Sequence, residues 1–196
     1  MNRGSKFILT AITVLVALAA TTLARDNAKS GGKPIATFRA FAVSMDTGGA
    51  GVVQISIDRW STDAERQSLL TSLATKGPDA TMTALMKLPQ VGFIQTPSSM
   101  GYALFYARQN TLPDGSRQVV IATDRALTFG GMMRQGTFSD YDYSMVEMHF
   151  PKGGGKGEGK LILAGKAEIN PKTQKFQINN YMGEPVMLKD IEETQP

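Results

Sequence analysis

The stretch "FPKGGGKGEGKLIL", residues 150–163, decides between two folds. Gly154, Gly159 and Lys160 have the spacing of a phosphate-binding loop, which would join a strand to a helix in an α/β protein. That chemistry needs a serine or threonine after the lysine and a helix N-terminus meeting the anion. Leu161 occupies the hydroxyl position instead, and Leu161, Leu163, Ala167 and Ile169 alternate as strand residues do. The stretch therefore reads as a glycine-rich hairpin between a strand at 143–150 and another at 160–169, which makes the surrounding chain β rather than α/β.

Working outward, "VGFIQT" (91–96), "GYALFYARQ" (101–109) and "RQVVIATD" (117–124) read as strands, with "LPDG" (112–115) turning between the last two. "KFQINNY" (175–181) and "PVMLKDI" (185–191) follow the hairpin, after a less regular stretch at 127–142. Upstream, Val53, Ile55 and Ile57 alternate with Gln54, Ser56 and Asp58, and "DTGG" (46–49) joins this strand to "IATFRAFAVSM" (35–45). About nine strands are too many for a small open sheet, so closure or strong curling is expected to hide the edges. "YALFYA" is apolar at successive positions, which predicts a sheet covered on both faces there.

The period changes in "WSTDAERQSLLTSLATKGPD" (60–79). Thr62 and Glu65 form a capping box, Leu69, Leu70 and Leu73 make one helix face, and Gly77 with Pro78 ends the helix. Asp79 is expected to cap a second helix carrying Met82, Leu85 and Met86, with Pro89 beyond it. The predicted fold is α+β and mainly β: an antiparallel meander curled or closed into a barrel-like sheet, with a helical hairpin inserted at about 62–88.

Arg3 and Lys6 precede an apolar run from Phe7 to Leu18, and Thr22 and Ala24 are small residues placed for cleavage before Arg25. Residues 1–24 are thus expected to be a signal peptide, 25–34 a flexible spacer, and 35–196 a single β-rich domain exported to the periplasm or beyond. No later segment is long and apolar enough to be a membrane helix. The absence of cysteine leaves packing to stabilise the domain. The 21 basic side chains fall to 19 once Arg3 and Lys6 are removed, against 17 acidic ones, a balance that gives nucleic acid little to bind.

Three further motifs resolve to ordinary structure. Asp46-Thr47-Gly48 spells the active triplet of pepsin-like proteases, but occurs once and follows Ser44 and Met45 instead of a continuous apolar run. His149, with Met145 and Met148 nearby, is a copper-like set in composition, yet adjacent strand residues face opposite ways. Ser30 and Lys33 lie in the spacer, where nothing would hold a catalytic dyad. No catalytic residue, metal ligand or cofactor is assigned.

The phrases "RWSTDAER" (59–66), "TPSSMGYALFYARQ" (96–109), "VVIATDR" (119–125), "GKGEGKL" (155–161) and "NYMGEPVML" (180–188) resemble a family of uncharacterised exported bacterial proteins. That resemblance implies one exported domain and carries no activity. The strand meander is similar in architecture to lipocalin-type barrels, without their early Gly-x-Trp and with the helical hairpin added. The functional expectation is non-enzymatic binding of an apolar small molecule in a cavity lidded by the hairpin. Its candidate lining residues are Met82, Met86, Phe93, Tyr102, Leu104 and Tyr106, with a purely packed scaffold as the plain form of the same reading. The alternative is a protein-interaction or envelope-structural module with Trp60 as a surface contact.

Overall fold

The computed structural model describes residues 33–46, 48–97, 99–129, 143–169, 176–181 and 184–194. The expected signal peptide and most of the expected spacer lie outside the described residues. Among the described residues ten strands and two helices follow in order: β1 (Ala36–Val43), β2 (Ala50–Ile57), α1 (Asp63–Lys76), α2 (Pro78–Leu85), β3 (Gly92–Gln95), β4 (Tyr102–Leu104), β5 (Tyr106–Thr111), β6 (Arg117–Thr123), β7 (Tyr143–Phe150), β8 (Gly157–Ile169), β9 (Phe176–Tyr181) and β10 (Val186–Thr194). The sheet is antiparallel, in the order β4-β3-β2-β1-β10-β8-β7-β6-β5, with β9 paired to the distal part of β8. As the sequence predicts, it is a nearly closed barrel with a helical hairpin between β2 and β3.

Both ends of that strand order belong to one run of chain. β4 pairs with β3 and β5 pairs with β6, and only Phe105 separates β4 from β5. Leu104 and Ala107 are buried in the barrel core, while Phe105 and Tyr106 pack towards the helices. One extra residue thus breaks the alternation, as in a β-bulge, and swings the strand from one neighbour to the other. Cross-bonds secure the seam: the Val91 amide donates to the Leu104 carbonyl at 2.8 Å, Phe105 to Ala122 at 3.1 Å and Ser61 to Ala107 at 2.7 Å. The Thr123 hydroxyl donates to the Ala103 carbonyl at 2.9 Å. β9 and β10 are likewise two halves of one stave, because Tyr181 pairs with Gly165 and Val186 with Leu161 along the edge of β8 that β7 leaves free. Counted as staves, the ten strands make an eight-membered up-and-down barrel.

Alternate residues fill the interior: Phe38 on β1, Val53, Ile55 and Ile57 on β2, Ile94, Leu104, Val119, Ile121, Met148, Leu161, Leu188 and Ile191 are almost completely buried. β1 contributes Ala36, Ala40 and Ala42, small residues that leave room for the larger ones opposite. One end is closed by Phe38 and Phe150, their ring centroids 5.7 Å apart, and by Arg117, which lies 4.5 Å from the Phe150 centroid and is ion-paired with Glu193. At the other end Leu127 and Phe129 turn inward, held by the Ser144 hydroxyl, which accepts from the Leu127 amide at 2.8 Å.

The 150–163 stretch is the β7–β8 hairpin. Gly153, Gly154 and Gly155 have φ of 85°, 93° and 116°, so the loop uses glycine's access to left-handed backbone. Gly159 is needed for another reason: a Cβ there would lie 2.3 Å from the Glu147 carbonyl oxygen of the paired strand. Gly159→Ala is expected to lower stability by about 2 kcal/mol, against the gain that removing a glycine's chain entropy would bring. Urea unfolding measures it, and an unchanged midpoint would refute the close approach.

α1 begins as predicted. Thr62 is the N-cap with both halves of the box formed, the Glu65 amide donating to Thr62 Oγ1 at 3.2 Å and the Thr62 amide to Glu65 Oε2 at 2.7 Å. Arg59, just after β2, reaches the same carboxylate with two bonds of 2.9 and 3.1 Å and donates to the Pro89 carbonyl at 3.0 Å, tying both ends of the hairpin to the barrel. The second helix differs from expectation: Gly77 occupies its N-cap, Pro78 its first position, and Asp79 makes no side-chain cap. Gly77, at φ 82°, ends α1 and starts α2 at once, leaving no separate capping position for Asp79. Arg59 chiefly, with Thr62 and against the pull of burial, holds the Glu65 carboxyl below its ordinary range. The stability it adds is therefore complete above that range and lost as pH falls through the lowered value. Acid titration of the unfolding midpoint should show this loss, and Arg59→Gln, which returns the folded-state carboxyl towards its ordinary range, should make the loss smaller.

Candidate functional site

The helical hairpin lies against the outer wall of the barrel, over β5 to β8, and not across the interior. Leu73 of α1 and Met82 and Leu85 of α2 are buried there with Ala122, Tyr143 and Met145, flanked by Leu69, Phe105, Tyr106 and Val120. Burial of each large side chain contributes on the order of 2 kcal/mol, which short helices require because alone they are marginal in water. The outward residues of β6 and β7 beneath the hairpin, Val120, Ala122, Tyr143 and Met145, are apolar for this reason, while the inward neighbours Val119, Ile121, Val146 and Met148 belong to the barrel core.

Packing of helices on wall is incomplete and leaves a groove of about 490 Å³. Strand register arranges its floor in rungs. Tyr106, Ala122, Met145 and Ile162 lie side by side across β5 to β8; the next rung is Arg108, Val120, Glu147 and Lys160, and the third Asn110, Gln118, His149 and Glu158. The groove takes its apolar part from the first rung with Leu69, Leu70, Leu73, Met82 and Leu85, and its polar part from Gln118, Glu147, Lys160, Asn110 and Arg66. Glu147 is the best-connected of these: Gln118 Nε2 donates to it at 2.6 Å, His149 Nε2 lies at 3.0 Å and Lys160 Nζ at 3.3 Å. Burial pulls its pKa upward, but Gln118, His149 and Lys160 outweigh that and hold it below the ordinary value. The Tyr106 hydroxyl is shifted upward, mainly by burial.

The six candidate lining residues do not converge. Met82 and Tyr106 line the groove; Leu104 is inside the barrel; Tyr102 packs against the barrel core with its hydroxyl 3.2 Å from Thr128 Oγ1. Met86 and Phe93 are exposed, at 48% and 39%. The residues missed are Leu69, Leu70, Val120, Met145 and Ile162; the signal for the leucines was the apolar face of α1, and for the other three it was apolar character on successive positions of β6, β7 and β8. Asp46 accepts from the Glu184 amide at 2.7 Å, linking the β1–β2 turn to the start of β10. Met148 is buried in the barrel while His149 is exposed on the outer face, so strand alternation separates that pair. Among the described residues no three His, Asp or Glu side chains group as metal ligands, and no helix is long and apolar enough to cross a membrane.

Trp60 is half-buried and packs against the barrel core. Iodide should therefore quench its fluorescence weakly in the folded chain and several-fold more in urea; strong quenching of the folded chain would contradict this packing.

Fold and groove together define a packed β-barrel with an external, helix-roofed cleft. No family model, curated protein or solved structure matches the chain.

Proposed function

We propose that this chain is an exported, non-enzymatic binding protein that holds an apolar small molecule in the groove between the helical hairpin and the barrel wall. The observation that carries this reading is the groove itself. Its 490 Å³ falls in the ~300–1,000 Å³ range of small-molecule sites, and its lining combines leucines, methionines and tyrosines with polar groups that include Arg66, Glu147 and Lys160. Methionine and leucine offer adaptable contact to ligands of varied shape. Support for export comes from the basic and apolar pattern of residues 3–18 followed by small residues at a cleavage position.

The test is titration with the neutral dye N-phenylnaphthylamine, whose emission rises on entering an apolar site. One saturable site is expected. Ala122→Phe, which places a ring in the groove, should weaken binding by about tenfold or more with an unchanged circular dichroism spectrum. Leu70→Arg, at the more exposed margin, gives an independent block. Dye binding that is unsaturable, or equal in both variants, overturns the reading.

A second reading, an envelope interaction module, draws on the opposite wall. There Phe41 faces Val52 across β1 and β2, and both are partly exposed together with Met187 on β10. It is supported less, because Trp60, its proposed anchor, packs inward.

A further inference from the structure

We infer that the ligand of this groove is a single-chain amphiphile with an anionic head, its tail lying beneath Leu73, Met82 and Leu85 and its head at Arg66. The inference rests on the groove being a binding site, and it concerns which molecules enter it. The floor changes character in one direction only, along the strands. From Tyr106 to Asn110 the rungs pass from apolar to charged to polar over about 13 Å. A molecule that matches such a floor is elongated, with one apolar and one polar end.

The charges at the polar end select the sign of the head. Arg108 is ion-paired with Asp63 at 2.6 Å and Lys160 with Glu147 at 3.3 Å. Arg66, on the first turns of α1, lines the groove and makes no ion pair among the described residues. Glu147 is the carboxylate of the lining, and both its oxygens are engaged, Oε1 by Gln118 and His149 and Oε2 by Lys160. A cationic head would find no free acceptor of its charge there, and a neutral head would leave Arg66 unmatched. An anionic head meets a guanidinium suited to carboxylate or phosphate oxygens.

The experiment is isothermal titration of the purified chain, below micelle-forming concentrations, with four amphiphiles of one tail length: dodecanoate, dodecyl phosphate, dodecanol and dodecyltrimethylammonium. The anionic pair should bind several-fold more tightly than the other two, and the tighter of the pair distinguishes a carboxylate source from a phosphate one. Arg66→Gln, at an exposed helix position that should not impair folding, is expected to weaken the anionic ligands by about fivefold and leave dodecanol unchanged. Raised salt should reproduce that loss in the parent chain. Dodecanol binding as tightly as dodecanoate, or an Arg66→Gln chain with undiminished preference for anions, overturns the inference while leaving the groove a binding site. If the neutral dye also fails to bind, the groove reading itself falls.

Discussion

The structure depends on the kink at Phe105. An antiparallel sheet of this length has two edges, each a row of unpaired amides and carbonyls that would recruit other chains or require covering. Here both edges are halves of one run, Tyr102–Thr111, so a single extra outward residue satisfies them together. Closure then follows from the bonds at the seam and from Ser61, whose backbone amide and hydroxyl both engage Ala107. Without that switch the chain would be a twisted sheet with two exposed ends.

Closure separates two apolar environments that would otherwise be continuous. Inside, aliphatic side chains from alternate positions form one buried cluster, with alanines on β1 making room and Arg117, Phe150, Leu127 and Phe129 closing the ends. Outside, the same strands present a second apolar face that the helical hairpin covers. The hairpin is fixed at its root by the Arg59–Glu65–Thr62 group and by Arg59's bond to Pro89, while Leu73, Met82 and Leu85 of its body pack on the barrel wall. Such a mounting sets the position of the helices without filling the space beneath them, and the groove is the consequence.

The groove's chemistry follows from strand register. Glu147 and Lys160 face one another across β7 and β8, Gln118 reaches the same carboxylate from β6, and the next rung towards the hairpin's centre is wholly apolar apart from the tyrosine hydroxyl. A one-residue slip in any of these pairings would turn the charges inward and the core residues outward. The polarity gradient is therefore as firmly specified as the barrel.

Much of this was legible in the residues themselves. Alternation at Val53, Ile55 and Ile57 set the inward face of β2, Leu161 and Leu163 marked the glycine-rich stretch as a hairpin, and Thr62 with Glu65 marked the start of α1. These are local matters, decided by side-chain period and by hydrogen bonds within a few residues. The strand count implied a closed or curled sheet, because edges carry a cost wherever they lie. The sequence could not say which residues share a site. "YALFYA" reads as a strand buried on both faces, and only the fold shows the break at Phe105 that sends Leu104 inside and Tyr106 outside. Met82 and Tyr106 meet Val120 and Met145 through pairings between distant segments, and whether the hairpin covers the barrel's mouth or its wall depends on those same contacts. Periodicity determines which way each side chain points; what it points at is decided by closure of the sheet, a property no local pattern contains.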